Sequence, residues 1–399
     1  MELEFNLFLT VATAAVVLIV GDFIKKRVEI LRRFCIPVPV VGGLIFTILL
    51  SIGYSTGLFN LKLNFVLSNF FALAFYSSIG FTASYKLLKK GGPQVLKFLI
   101  ASIIVVILQN FLGVYLAKFL GLNPLVGLAT ASIPMTGGHG TSAAFAPVLE
   151  EAGLSNALTI SLAAATFGLV SGSLIGGPTG KFLIEKYKLV SKIIKNEEVE
   201  KSNDSLKEIK NKIDEKRIQS AMYQLLISMA LGSIISMGLK KIGLTFPDSV
   251  GAMIAAAIMR NIADYSPNFK IKENEVRIMG DLSLMLFLAL SMMNLKLWQI
   301  ADLAIPMIIL LIAQTILMFI CATFLTFRMM GKDFEAAMMA VGHCGFGLGA
   351  VPTAMANMQS VEEKYGKAPT AFFILPLVGS LFINFFNSII IVTFINVYK

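Results

Sequence analysis

Charged residues are scarce in this chain of 399 residues. Only 15% of the residues are charged, whereas 56% are hydrophobic and the mean hydropathy is +0.78. Soluble domains are about 25% charged, so this composition excludes an ordinary soluble protein. Apolar runs long enough to cross a hydrocarbon core of about 30 Å recur along the chain, from the first run at residues 5–20 to the last at residues 371–397. The sequence therefore predicts an all-α polytopic membrane protein.

Cysteine, histidine and catalytic motifs are also rare. Cys35, Cys321 and Cys344 are odd in number and lie in or beside apolar runs, which argues against disulfides and a cysteine metal cluster. His139 and His343 have no second metal ligand at useful spacing. No HExxH, GxSxG or paired catalytic aspartates occur. We therefore expect no enzyme and no cofactor.

The net charge of +10 fits retention of basic residues at a membrane surface better than nucleic-acid binding. Glu2 and Glu4 precede the first apolar run, and Lys25, Lys26 and Arg27 follow it. A cleavable signal peptide has the reverse order, so this run is predicted to stay as a helix. Because basic residues remain in the cytoplasm, the N-terminus is predicted to lie outside.

Two glycine-rich polar stretches interrupt the apolar pattern, at about 124–152 and 333–366. We interpret each as a re-entrant hairpin that dips into the membrane and returns. A charged linker at 181–218 is then predicted to be cytoplasmic. The remaining apolar segments are ten predicted crossings, at about 5–24, 36–54, 66–83, 95–119, 156–179, 220–240, 246–265, 280–296, 304–327 and 370–394.

The basic residues support this topology, with both termini outside. Of the 34 lysines and arginines, few lie outside in this arrangement. If 124–152 were a full crossing, the linker would face outward, against the rule that basic loops stay inside. The basic residues predicted to lie outside are Lys62, Lys118, Lys240, Lys241, Lys296 and Lys399.

The two halves of the chain, 1–180 and 219–399, resemble each other. ILQNFLGVYLAKFL from Ile107 is echoed by IAQTILMFICATFL from Ile312, and each run precedes a histidine in a glycine cluster. IPVPVVGG and LVSGSL in the first half are echoed by FPDSVGA and LVGSLF in the second. Five crossings per half invert the second repeat, an architecture typical of secondary transporters.

The glycine clusters predict broken backbone inside the membrane, at 136–140 and 342–349. Non-helical backbone is tolerated there only where it lines a cavity or is buried in protein. We expect a helix to follow each cluster, with its free N–H groups and partial positive charge directed at the break. Two such ends favour a small carboxylate, and unwound carbonyl groups favour Na⁺.

At these residues the chain resembles the bacterial sodium/glutamate symporters. The strings that carry the resemblance are IPVPVVGGL, LAFYSSIGFTA, SGSLIGGP, GGHGTSAAF, LSLMLFLAL, RMMGKDFEAA and GHCGFGLGAVPTAMANMQSVEEKYG. The resemblance implies Na⁺-driven L-glutamate uptake across the bacterial inner membrane. It also implies a homodimer of elevator-type transporters, each with a static scaffold and a moving transport domain, and Na⁺ as coupling ion.

Candidate ligand-binding residues lie mainly in the two glycine clusters. For these residues we also consider four structural roles: tight helix packing, helix capping, hydrogen bonds that order the loops, and a cytoplasmic anchor. The candidates for substrate binding are Gly137, Gly138, His139, Gly140, Thr141, Gly345, Gly347, Gly349, Thr353 and Arg260. The candidates for sodium binding are Asn357, Asn384, Gln109, Gln314 and Asp281.

Two other functions stay open. The cargo of such a transporter is alternatively another dicarboxylate or a 2-hydroxycarboxylate, driven by Na⁺ or H⁺. A third hypothesis is a passive channel in which the two hairpins form the selectivity filter.

Overall fold

The computed structural model describes residues 2–34, 36–56, 60–90, 92–191, 215–241, 247–267, 269–295 and 303–399. In the first half the helices are α1 Leu7–Arg27, α2 Glu29–Arg33, α3 Val38–Ser55, α4 Val66–Gly80, α5 Tyr85–Lys90, α6 Gly92–Phe119, α7 Pro124–Ala129, α8 Gly138–Glu151 and α9 Ala157–Tyr187. In the second half they are α10 Glu215–Lys241, α11 Asp248–Tyr265, α12 Glu273–Met293, α13 Ala304–Ile320, α14 Phe327–Met329, α15 Phe334–Gly347, α16 Val351–Tyr365, α17 Pro369–Pro376 and α18 Ile383–Tyr398.

Three features differ from the expected helix list. The π-helical segments Cys321–Thr326 and Leu377–Phe382 join α13 to α14 and α17 to α18. A short parallel strand pair joins β1 Glu2–Glu4, at the chain start, to β2 Asn60–Lys62, between α3 and α4. Helices α9 and α10 extend into both ends of the predicted linker, whose middle part, 192–214, lies outside the described residues.

Seven of the described helical segments are long and apolar enough to cross a membrane: α1, α6, α9, α10, α12, the run from α13 to α14, and the run from α17 to α18. The other three predicted crossings correspond to the shorter helices α3, α4 and α11. Their orientation in the bilayer stays a prediction.

The helices pack in two bundles. In the first bundle α4 packs against α11 and α12, α10 against α11, and α1 and α3 against each other and against α12. In the second bundle α9 packs against α8, α15 and α16, and α6 packs against α7, α13 and α18. Each bundle therefore takes helices from both halves of the chain, in matching order.

Both predicted hairpins are pairs of helices whose ends follow from local capping. Asn123 and Asp333 accept hydrogen bonds from backbone N–H groups at the starts of α7 and α15. Gly366, with φ of 110°, ends α16.

The position of the broken backbone differs from the prediction. The non-helical residues are 130–137 and 348–350, because α8 starts at Gly138 and α15 continues to Gly347. The reason is close packing. A Cβ at Gly345 would lie 2.3 Å from the Ala354 Cα, so this glycine lets α15 and α16 touch as regular helices.

Candidate functional site

The turns of the two hairpins meet inside the second bundle. Gly138 has a φ of +65°, and a Cβ built on it would lie 3.0 Å from the carbonyl oxygen of Gly349. Neither α8, which starts at Gly138, nor α16, which starts at Val351, has a side-chain cap at its N-terminus. The N-terminal ends of α8 and α16, each with partial positive charge, therefore lie close to one contact.

Gln109 of α6 is hydrogen-bonded to both hairpins. Its Nε2 donates to the Gly347 carbonyl at 2.8 Å, and its Oε1 accepts from the Thr136 hydroxyl at 2.8 Å. Gln314 of α13 donates to the Gln109 carbonyl at 2.9 Å. Both side chains are fully buried, and Gln109 ties both hairpin turns to α6 while Gln314 ties α13 to α6.

Several buried polar atoms near the turns have no partner among the described residues. They include Ser142 Oγ in α8, Thr353 Oγ1 in α16 and Gln314 Oε1. A buried polar group left unpaired costs about 1–3 kcal/mol, so such atoms mark places where a ligand or ion would be favourable.

Asn110 and Asn387 flank the non-helical turn of the first hairpin. Asn110 Oδ1 accepts from the Ser132 hydroxyl at 2.9 Å, and Asn387 Nδ2 donates to the Ser132 carbonyl at 3.2 Å. The other amide atoms, Asn110 Nδ2 and Asn387 Oδ1, lack partners within the described chain.

The first bundle covers the start of α8. The Tyr76 hydroxyl of α4 lies beside the hydroxyls of Thr141 and Ser388. A Cβ at Gly140 would lie 2.9 Å from the Phe75 ring and 3.1 Å from Leu284 of α12. The tip of the first hairpin therefore lies at the boundary between the bundles.

The two matched histidines bind threonines of neighbouring helices. His139 Nε2 lies 3.0 Å from Thr166 Oγ1, and because that hydroxyl donates to the Leu162 carbonyl, the histidine is the donor. His343 Nδ1 lies 2.7 Å from Thr326 Oγ1. No group of three or more His, Cys, Asp or Glu in the described residues is placed to hold a metal.

Four other candidates sit in tight packing contacts. A Cβ at Gly137 would lie 2.5 Å from Thr141, one at Gly347 would lie 2.6 Å from Met318 Sδ, and one at Gly349 would lie 2.9 Å from Leu169. Asn357 donates to the Gly172 carbonyl at 2.8 Å, which ties α16 to α9.

Three candidate residues take no part in the packing contacts just described. Asn384 is half-buried, and Asp281 lies on an exposed face of α12, two turns after the helix start at Glu273. Arg260 is buried, and it pairs with Asp264 at 3.0 Å and Glu273 at 2.7 Å. That network also includes Ser84, which donates to Asp264.

Sequence reasoning missed five polar residues that the fold brings to the turns. Asn110 directly follows Gln109, and Ser388 follows Asn387, so the only local signal was polarity within apolar runs. The missed residues are Tyr76, Asn110, Ser132, Asn387 and Ser388.

A cavity of about 1070 Å³ separates the two bundles beside α8. Ala143 and Ala144, one turn beyond Gly140, lie in its wall. Its other lining residues come from one end each of α4, α9, α11 and α12, with Glu150 and Glu151 at the end of α8. The cavity therefore leads along α8 toward the hairpin turn.

Apolar helices of spanning length, packed around converging polar groups, define an all-helical polytopic membrane protein. More particularly, the chain belongs to the sodium/glutamate symporter family, whose family model matches residues 3–367. The sodium/glutamate symporter of Haemophilus influenzae is 37% identical over 97% of this chain and 96% of the relative. That of Escherichia coli is 37% identical over 96% of this chain and 95% of the relative.

Among solved structures, the sodium proton antiporter MjNhaP1 of Methanocaldococcus jannaschii matches with a TM-score of 0.44 and 15% identity. The match covers 98% of this chain and 96% of that one.

Proposed function

We propose that this protein imports L-glutamate together with Na⁺, and that both ligands bind where the hairpin turns meet. The contact between Gly138 and the Gly349 carbonyl is the observation that carries the proposal, because two uncapped helix starts lie at it. Membership of the sodium/glutamate symporter family supports the identity of cargo and coupling ion.

The chemistry of the turns suits an acidic solute. The partial positive charge at the starts of α8 and α16 attracts carboxylates without a buried basic side chain. The unpaired hydroxyls of Ser142 and Thr353 are available as donors near the same two helix starts. Arg260, the arginine among the sequence candidates, already pairs with Asp264 and Glu273.

The bundles support alternating access of the elevator type. The second bundle contains both hairpins, and it would move against the first bundle with its ligands. The matching order of α6 to α9 and α13 to α18 supports two inverted repeats of five crossings and one hairpin each. In the predicted topology, every helix end that lines the large cavity lies outside, so the cavity would be an outward entrance.

The cellular setting is part of the same proposal. We place the protein in the bacterial inner membrane as a homodimer, with both termini outside and the linker in the cytoplasm. The basic residues that flank the crossings support this orientation.

Uptake of labelled L-glutamate into proteoliposomes tests the function. An inward Na⁺ gradient is expected to drive accumulation above the external concentration, and an equal K⁺ gradient is expected to fail. Unlabelled glutamate should compete better than aspartate, citrate or malate. Preferred competition by citrate or malate would change the cargo, and equilibration without accumulation would indicate a channel.

A further inference from the structure

Asn387 presents an unpaired oxygen in the protein interior. Its side chain is fully buried, and its Nδ2 donates to the Ser132 carbonyl at 3.2 Å. That bond fixes which amide atom is the nitrogen, so the atom without a partner among the described residues is Oδ1. An amide oxygen held away from water and from donors is a favourable ligand for a cation.

The next residue, Ser388, adds a second oxygen. Its hydroxyl donates to the Asn384 carbonyl at 2.8 Å, which directs its proton along α18 and leaves its lone pairs free. The Tyr76 hydroxyl lies beside both the Ser388 hydroxyl and the Thr141 hydroxyl. All three side chains are at most 5% exposed.

The chemistry of these groups selects the kind of cation. Amide and hydroxyl oxygens are hard, neutral ligands, which suit an alkali ion better than zinc or copper. A divalent ion such as Ca²⁺ is usually bound by several carboxylates. No carboxylate is among these groups.

The position of this pair connects α18 to both sides of the first hairpin turn. Asn387 contacts Ser132 in the non-helical segment, and Ser388 lies beside the Tyr76 hydroxyl, which also lies beside Thr141 in the first turn of α8. A cation here would hold the turn in one shape and place positive charge beside an anion bound at the start of α8. Both effects would make glutamate affinity depend on Na⁺.

We infer that Asn387 Oδ1, Ser388 Oγ and Thr141 Oγ1 are ligands of a Na⁺ site, covered by the Tyr76 hydroxyl from the first bundle. The inference rests on the proposed Na⁺ symport and assigns residues to its coupling ion. Asn384, the neighbour favoured by sequence, contributes only its backbone carbonyl to the bond with Ser388.

Sodium titrations of the purified full-length protein test this site. Thermal unfolding is followed without glutamate while Na⁺ replaces K⁺ at constant ionic strength, and initial glutamate uptake is measured over the same Na⁺ range. The variants are Asn387→Ala, Ser388→Ala and Asn387→Asp. Asn396→Ala is the control, since this asparagine lies near the end of the same helix and donates to the Val392 carbonyl.

Asn387→Ala and Ser388→Ala are expected to raise the half-saturating Na⁺ concentration about tenfold, equal to about 1.4 kcal/mol. Uptake by both should recover at high Na⁺, and Asn396→Ala should titrate like wild type. Asn387→Asp keeps the oxygen and adds negative charge, so it should respond at lower Na⁺.

If the hydrogen bond from Asn387 to the Ser132 carbonyl is purely structural, the variants give different Na⁺ titrations. Asp cannot donate to that carbonyl, so Asn387→Asp would then be destabilised like Asn387→Ala, with unchanged Na⁺ dependence in both. That result, or a wild-type titration in both alanine variants, overturns the assignment. If Asn387→Ala fails to fold, the Na⁺ titrations of Ser388→Ala and Asn387→Asp decide whether the assignment holds. Wild-type uptake without any Na⁺ dependence would instead refute the proposed function.

Discussion

Gln109 Nε2 lies 2.8 Å from the carbonyl oxygen of Gly347 and donates a hydrogen bond to it. The same side chain accepts from Thr136, so one fully buried amide contacts both hairpins. Gln109 therefore helps to set the relative position of the two turns, and with it the shape of the proposed binding site.

Gln109→Ala is expected to lower both stability and transport. The change leaves the Gly347 carbonyl without its donor and Thr136 without its acceptor, at a cost of about 1–3 kcal/mol for each buried group. The midpoint of thermal unfolding and the glutamate uptake rate measure the effect. Gln219→Ala is the control, because Gln219 is an exposed amide bonded to Glu215. Equal uptake in the two variants would contradict the bridging role of Gln109.

Gly138→Ala is expected to abolish uptake, whereas Gly121→Ala is expected to retain it. Both glycines have φ near +70°, so alanine costs about 1–2 kcal/mol at either position. A Cβ at Gly138 meets the Gly349 carbonyl at 3.0 Å, whereas one at Gly121 meets nothing within 4 Å. Uptake per unit of purified, reconstituted protein isolates this contact. Similar loss in both variants would show that backbone strain alone matters.

Helix positions were predictable because their signals are local. The second hairpin was predicted at 333–366, and its helices run from Phe334 to Tyr365. Asp333 caps the start and Gly366 takes the positive φ at the end, and both are recognisable in sequence. Gly345 was misread as broken backbone because its partner, Ala354, is identified only by the packing of the two helices.

The site was less predictable because its contacts are far apart in sequence. Asn384 and Asn387 look alike in the string FINFFNSII, and only the packing of α18 shows which one is fully buried. Arg260 looked available for a carboxylate, since nothing in the sequence reveals its pairing with Glu273 across a loop. The roles of the other candidate residues stay predictions.

His139→Gln is expected to retain most uptake, while His139→Ala and Thr166→Val lose it. The imidazole donates to Thr166 Oγ1 and orders the first turn of α8, which a glutamine amide can also do. Chelators such as EDTA should leave uptake of the wild type unchanged. Inactivity of the glutamine variant together with inhibition by chelators would instead indicate a metal.

Arg260→Gln is expected to lower the unfolding midpoint without changing the KM for glutamate. The change removes the cation from the nearly buried Asp264 carboxylate, which keeps its hydrogen bond from the Ser84 hydroxyl, at a cost of about 3–5 kcal/mol. Glu273→Gln is the matched control, because the Glu273 side chain is 61% exposed and its pairing should contribute little. A raised KM with an unchanged unfolding midpoint in Arg260→Gln would identify Arg260 as a substrate ligand.

Disulfide trapping between the bundles tests the proposed movement most directly. Thr82 Oγ1 of the first bundle lies 3.3 Å from the Leu381 carbonyl oxygen of the second, and the carbonyl of the adjacent Ala83 accepts from Asn261 within the first bundle. Paired cysteines are placed at 82 and 381, or at 83 and 261, after Cys35, Cys321 and Cys344 are replaced by alanine. Oxidation of the 82–381 pair should stop Na⁺-driven glutamate uptake and reduction should restore it, while the 83–261 pair transports in both states. Undiminished uptake with the 82–381 pair fully cross-linked would contradict movement of one bundle against the other.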